Sequence, residues 1–126
     1  MNILKNFIQE LEQSPFASRV ITIIIAGFIF YVSSLTFLPG PGGGIGFQAL
    51  FYHIGIFAAL AFFLFIAIPA KNNKTLIFCA FVLAFLYAIT DELHQSFVPG
   101  RSAGPFDVFI DAVGILIGSV AYLSQK

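Results

Sequence analysis

The longest charge-free segment of the chain sets the first limit on its fold. No Lys, Arg, Asp or Glu occurs in the 51 residues from Val20 to Ala70. A helix crosses about 30 Å of hydrocarbon with roughly 20 residues, so this segment is too long for one crossing and matches two. Pro and Gly interrupt it over residues 39–46, because they remove donors and disfavour helix. The segment therefore predicts two transmembrane helices, over residues 20–38 and 49–68.

Two further apolar runs follow, over residues 75–93 and 105–123. A membrane-spanning β-barrel would need many segments of about ten residues with alternating polarity, whereas these runs are apolar throughout. Ahead of the first span, apolar residues recur at helical spacing among the charged residues of positions 4–12, which is typical of an interfacial helix. The sequence predicts an all-α polytopic membrane protein: a single domain over 1–126, with four transmembrane helices preceded by a short interfacial amphipathic helix.

Composition excludes two other classes of protein. Only 10% of the residues are charged, against about 25% in a soluble domain. Six basic residues balance six acidic ones, so the chain has no basic field and we expect no nucleic-acid partner. A single cysteine, Cys79, excludes an intramolecular disulfide and any CxxC motif.

The basic residues predict the orientation in the membrane. With four spans, the N-terminus, the loop after the second span and the C-terminus share one side. That side holds five of the six basic residues, namely Lys5, Arg19, Lys71, Lys74 and Lys126. The positive-inside rule places it, with both termini, in the cytoplasm. The loop between the third and fourth spans, which carries Arg101, is then expected to face outward.

Several ionisable residues lie near the outer end of the predicted spans. With a helix rise of 1.5 Å per residue, Asp91 and Asp107 fall about 6 Å below the outer hydrocarbon boundary, His53 about 7 Å and Asp111 about 12 Å. Charged groups in the membrane are costly, and several in one layer must be paired, neutral or hydrated. These residues therefore predict a polar site within the outer half of the bilayer.

Helical spacing predicts which way the acidic side chains point. Asp107 and Asp111 are four residues apart, and the same stripe continues through Gly114 and Gly118. Gly114 to Gly118 forms a GxxxG pattern, which allows a second helix to approach closely. The acidic face is therefore expected to point into the bundle.

The third span carries a second polar face. Tyr87, Asp91, His94 and Gln95 share it, while Glu92 points about 100° away. Arg101 is the natural counter-ion, since its guanidinium pairs with carboxylates or with an anionic ligand. The candidate ligand-binding residues are His53, Asp91, Glu92, His94, Gln95, Arg101, Ser102, Asp107 and Asp111, with Gly114 and Gly118 for helix packing. No catalytic residue, metal ligand or cofactor is assigned.

The segment from Asp91 to Val108, followed by Asp111 and Gly114, resembles the VanZ-like family of small bacterial membrane proteins. The match to the family's DE-x-HQ, PGR, D and G signature extends from Asp91 to Gly114, about a fifth of the chain, and the four-span layout agrees. His53 and Ser33-Ser34 also look like family positions. The resemblance implies a multi-pass protein of the bacterial cytoplasmic membrane, in a family named for resistance to the glycopeptide teicoplanin.

The chain departs from the family pattern at two places. Family members often have Asn in place of Asp111, and commonly have Asp-Lys where this chain has Ala49-Leu50. An extra acid and a missing lysine change the charge that a ligand would meet.

Three functions from different classes fit these patterns. The first is binding of an anionic amphiphile, such as a lipid, a lipid-linked cell-wall precursor or a lipoglycopeptide, with a role in antibiotic resistance or envelope homeostasis. The second is an enzyme acting on a lipid head group by metal or acid–base chemistry. The third is a proton- or ion-coupled transporter, which would require oligomers because four spans are few. A fourth interpretation is purely structural, with the polar groups hydrogen-bonded only to one another.

Overall fold

A computed structural model describes residues 3–35, 47–68, 70, 72–100 and 104–125. The regular structure in these ranges is entirely helical. It consists of α1 (Ile3–Gln13), α2 (Pro15–Ser33), α3 (Phe47–Ala67), α4 (Lys74–Ser96) and α5 (Pro105–Leu123). Helices α2 to α5 are long and apolar enough to cross a membrane. The prediction of four spanning helices preceded by a short helix is confirmed.

The helix starts follow local sequence signals. Pro15 and Pro105 occupy the first turns of α2 and α5, where their fixed φ suits a helix and a missing N–H costs nothing. The Asn73 side chain caps α4 by accepting hydrogen bonds from the backbone N–H of Thr75 at 2.9 Å and of Leu76 at 3.2 Å. Asn thus satisfies donors that the first turn leaves open.

Helix α2 is displaced towards the N-terminus relative to its predicted span. It begins at Pro15, ahead of residue 20, and ends at Ser33, ahead of residue 38. Its last turn tightens, with Ser34 N–H donating to Tyr31 O and Leu35 N–H to Val32 O, both at 3.1 Å. The predicted Pro- and Gly-rich loop of residues 39–46 lies outside the described residues.

The spanning helices alternate in direction and form a bundle in which α3 contacts α2, α4 and α5. Helix α4 also contacts α2 and α5. The ends of α2 and α4 therefore meet the starts of α3 and α5 at one end of the bundle. We call this the polar end, since it carries Ser33, His53, Asp91 and Asp111.

Two apolar clusters fill the bundle. The central one combines residues of all four spanning helices, among them Ile29, Phe57, Leu60, Ala84 and Ile115. The second lies away from the polar end and includes Ile8, Phe65 and Tyr122. There the Tyr122 hydroxyl donates to Glu12 Oε1 at 2.6 Å, which ties the end of α1 to the end of α5.

Large apolar side chains cover the outside of the bundle. Exposed examples occur on α2, α4 and α5, including Phe16, Ile23, Phe78, Leu86 and Ile117. A soluble monomer rarely exposes so much apolar surface, whereas a helix that faces lipid does so by necessity. The surface is that of a chain surrounded by a lipid bilayer.

Candidate functional site

One face of α4 joins α2 at the polar end. The Ser33 hydroxyl donates a short hydrogen bond to Asp91 Oδ1. Gln95 Nε2 donates to Asp91 Oδ2 at 3.0 Å and to Ser33 Oγ at 3.2 Å. All three side chains are buried. Both carboxylate oxygens of Asp91 thus have donors, and the three side chains form one hydrogen-bond network.

His94 lies beside this network and also contacts α2. Its Nε2 is 2.9 Å from Ser34 Oγ, and its ring stacks on Phe30 with centroids 4.5 Å apart. Two turns before His94 on α4, the Tyr87 hydroxyl donates to Ala26 O. The polar face of α4 therefore points at α2.

Glu92 points to the other side of α4, towards the start of α5. Its Oε1 accepts a short hydrogen bond from the Gly104 N–H, so a carboxylate of α4 caps a helix that has no side-chain cap of its own. The positive end of the helix dipole favours an acid there. Asp107, in the first turn of α5, interacts electrostatically with Glu92. The adjacent acids Asp91 and Glu92 thus form hydrogen bonds in two different directions, Asp91 with α2 and Glu92 with the start of α5.

His53 and Asp111 form a pair between α3 and α5. His53 Nδ1 lies 2.7 Å from Asp111 Oδ1. The Asp111 side chain is completely buried and that of His53 is 12% exposed. Since an ionised carboxylate only accepts hydrogen bonds, His53 Nδ1 is the donor in this pair. The other ring nitrogen, Nε2, takes no part in the bond to Asp111. The pair fixes the orientation of the imidazole.

The structure brings the acidic residues into one electrostatic cluster. Asp91, Asp107 and Asp111 all interact with His53, and Asp111 interacts in turn with Asp91 and Asp107. Glu92 interacts with Asp107 and Asp111. Four carboxylates and one imidazole from α3, α4 and α5 are thus connected by electrostatic interactions, with Asp111 and Asp107 common to most of them.

Two carboxylate oxygens of this cluster remain unsatisfied. Glu92 Oε2 and Asp111 Oδ2 are buried without a hydrogen-bond partner among the described residues. An unpaired buried polar atom costs about 1–3 kcal/mol, and more if charged. The polar groups are therefore not fully paired with one another, in contrast to the saturated carboxylate of Asp91.

Glu92 also faces an open groove on the outside of the bundle. The groove has a volume of about 470 Å³. It is lined by Ile89, Glu92, Leu93, Ser96, Gly104, Pro105 and Val108. The walls are mostly apolar, and the polar groups lie where α4 ends and α5 begins, at the polar end of the bundle. A groove of this kind suits a molecule with both a polar and an apolar part.

Arg101 and Ser102, predicted as ligand contacts, lie outside the described residues, so their roles stay predictions. In the described ranges, no group of three His, Cys, Asp or Glu side chains has an arrangement that would hold a metal ion. The metal branch of the enzyme hypothesis therefore gains no support from the donor geometry. The acid–base branch rests on the pair of His53 and Asp111.

Ser33 and Ser34 were noted as resembling family positions but were not among the predicted ligand-binding residues, although they contact Asp91 and His94 of that set. The available signal was their position: two hydroxyls late in an otherwise apolar span, at the level of the predicted acidic layer. Which helix they would meet depends on packing between helices far apart in sequence, and the pattern of α2 alone does not contain that information.

Fold and site together define a polytopic helical membrane protein with a buried acidic cluster at one end of a four-helix bundle. The family model described as VanZ/LLP1 matches residues 3–125. The chain belongs to the VanZ/LLP1 family, as the segment from Asp91 to Val108 indicated. Comparison with curated proteins and with solved structures found no match.

Proposed function

We propose that the protein binds the polar head group of an amphiphile at the polar end of the bundle. The observation that carries the proposal is the pair of buried oxygens, Glu92 Oε2 and Asp111 Oδ2, without a partner among the described residues. A head group with N–H or O–H donors would satisfy them, and the free energy gained would be large because both atoms are shielded from water.

The predicted orientation turns this end towards the outside of the bacterial cytoplasmic membrane, with both termini in the cytoplasm. A ligand there would be a lipid, a lipid-linked cell-wall precursor or a lipoglycopeptide. Its phosphate or carboxylate is assigned to Arg101, as the sequence predicts, and its donors to the carboxylates. Binding of such a molecule would link the protein to glycopeptide resistance or envelope homeostasis.

Native mass spectrometry of the detergent-solubilised protein tests the proposal. The probes are phosphatidylglycerol, phosphatidylethanolamine and a polyprenyl-diphosphate sugar. We expect at least one to bind the wild type and to bind Asp111→Asn about tenfold more weakly, since one lost hydrogen bond to a charged group corresponds to about 1.5–3 kcal/mol. Glu12→Gln, at the opposite end, should bind like the wild type. Equal binding by all three proteins would overturn the proposal.

An enzyme that acts on a lipid head group is the second candidate. The pairing of His53 with Asp111 favours it, because a carboxylate that orients an imidazole is the usual support of a general base. Phosphorus NMR of phosphatidylglycerol vesicles containing the protein would detect head-group release, and His53→Ala should abolish it. If the wild-type protein leaves the spectrum unchanged, hydrolysis of phosphatidylglycerol is excluded as its activity. The transport hypothesis stays a prediction that reconstituted ion flux would test.

A further inference from the structure

We propose that the groove between α4 and α5 is a lateral binding site for an aminophospholipid, with Glu92 receiving the primary ammonium of the head group. The proposal rests on the proposed head-group binding and adds both the class of lipid and the direction from which it arrives. Phosphatidylethanolamine is the simplest lipid with the required chemistry.

Glu92 supplies the polar contact. Its side chain is only 7% exposed, and it lines the groove. Oε1 is occupied by the Gly104 N–H, while Oε2 is the atom left without a partner among the described residues. The acceptor therefore lies at the groove, already oriented by one hydrogen bond.

Charge selects the ammonium over other donors. Glu92 interacts with Asp107 and Asp111, so a cation bound at Glu92 also lies in the field of two further carboxyl groups. A cation with N–H donors would be attracted by all of them and would form a charge-assisted hydrogen bond with Glu92. A neutral hydroxyl has the donor without the charge, and a quaternary ammonium has the charge without the donor.

The shape of the α4–α5 seam favours a lipid as the carrier of that ammonium. Ile89, Leu93 and Val108 form the apolar wall next to Glu92. Further along the seam, away from the polar end, a second groove of about 410 Å³ lies between the same two helices. It is lined by Phe81, Val82, Phe85, Leu86, Ala112, Ile115 and Leu116. From Glu92 to Phe81 the seam runs about 16 Å along α4, enough for much of an acyl chain.

Tryptophan quenching gives a direct test, because the chain contains no Trp. Leu93→Trp places a reporter in the groove, and Ile24→Trp places one on the lipid-facing side of α2. Each protein is reconstituted into phosphatidylcholine vesicles with increasing fractions of brominated phosphatidylethanolamine, phosphatidylglycerol or phosphatidylcholine. Bromine quenches Trp only on contact, so the curves yield the relative affinity for each lipid at each position.

In the Leu93→Trp protein, we expect the affinity for brominated phosphatidylethanolamine to be about fivefold higher than for the other two lipids. In the Ile24→Trp protein, we expect the three lipids to quench equally. Adding Glu92→Gln to the Leu93→Trp protein should abolish this preference, so that the three lipids bind with equal affinity. Ile89→Trp provides a second groove reporter in case the larger side chain at Leu93 obstructs the site. Equal quenching by the three lipids at both groove reporters would overturn the inference. If lipid binding at the polar end still depends on Asp111, the proposed function survives that result.

Discussion

At the scale of single residues, the polar end contains carboxylates with very different surroundings. Asp91 has donors on both oxygens, from Ser33 and Gln95. Asp111 has one described donor, His53, for a side chain that is completely buried. Removing a partner from a buried charged pair usually costs more than the pair contributes, because the remaining charge stays buried. The contribution of His53 to stability should therefore exceed that of an ordinary hydrogen bond.

His53→Ala tests this contribution. We expect it to lower the free energy of unfolding by about 1–3 kcal/mol, since it leaves Asp111 without its donor. Thermal unfolding in detergent, monitored by circular dichroism, measures the change. His94→Ala is the matched control, because His94 contacts the exposed Ser34 and stacks on the exposed Phe30. Equal losses in the two variants would contradict the prediction.

The divergence of Asp91 and Glu92 follows from helix geometry, since neighbouring residues point about 100° apart. The sequence predicted that divergence, and the structure identifies the two neighbours as α2 and α5. The identity of the partners was not predictable, because it depends on how helices distant in the chain pack together.

At the scale of helices, the most extensive contact joins α3 and α5. A Cβ added at Gly114 or Gly118 would lie less than 3.0 Å from the backbone of Ile54 or Ala58, respectively. Any larger side chain at Gly114 or Gly118 would overlap the backbone of α3, so both positions require glycine for steric reasons. The same stripe carries Asp111 one turn earlier, so the approach that the glycines permit also brings Asp111 to His53.

Gly118→Ala should disturb this contact. The added methyl group would overlap the carbonyl of Ala58, and the resulting separation of α3 and α5 should cost about 1–3 kcal/mol. The expected result is a lower melting temperature in detergent. Gly27→Ala is the control, as nothing lies within 4 Å of a Cβ there, and alanine favours a helix by about 1 kcal/mol over glycine. A Gly118→Ala protein as stable as Gly27→Ala would refute the crossing described above.

The helix bounds were predictable to different degrees. Pro105 begins α5 at the residue that the sequence indicated, because proline acts through its own covalent geometry, whereas α2 begins at Pro15, five residues ahead of its predicted span. The end of α2 at Ser33 was placed too late. Apolar character continues past it through Leu35, and hydropathy does not detect the tightened turn at Ser34.

At the scale of the whole molecule, the two ends of the bundle differ in chemistry. The polar end gathers Asp91, Glu92, Asp107 and Asp111. The opposite end is closed by α1, through Ile8 in the apolar cluster and Glu12 on Tyr122. Only the polar end carries buried carboxylate oxygens without a partner among the described residues. Its side of the membrane therefore decides which pool of ligands it can meet.

Cysteine labelling determines that side. Cys79→Ser removes the single native thiol, and new cysteines are then placed at two exposed positions, Phe97 after α4 and Asn72 before it. We expect a membrane-impermeant maleimide to label Phe97→Cys in intact cells and Asn72→Cys only after permeabilisation, since the positive-inside rule predicts that the Asn72 side is cytoplasmic. Ser124→Cys, beyond the end of α5, should behave like Asn72→Cys. The reverse labelling pattern would show that the acidic cluster lies on the cytoplasmic side. Cell-wall precursors outside the membrane would then be excluded as its ligands.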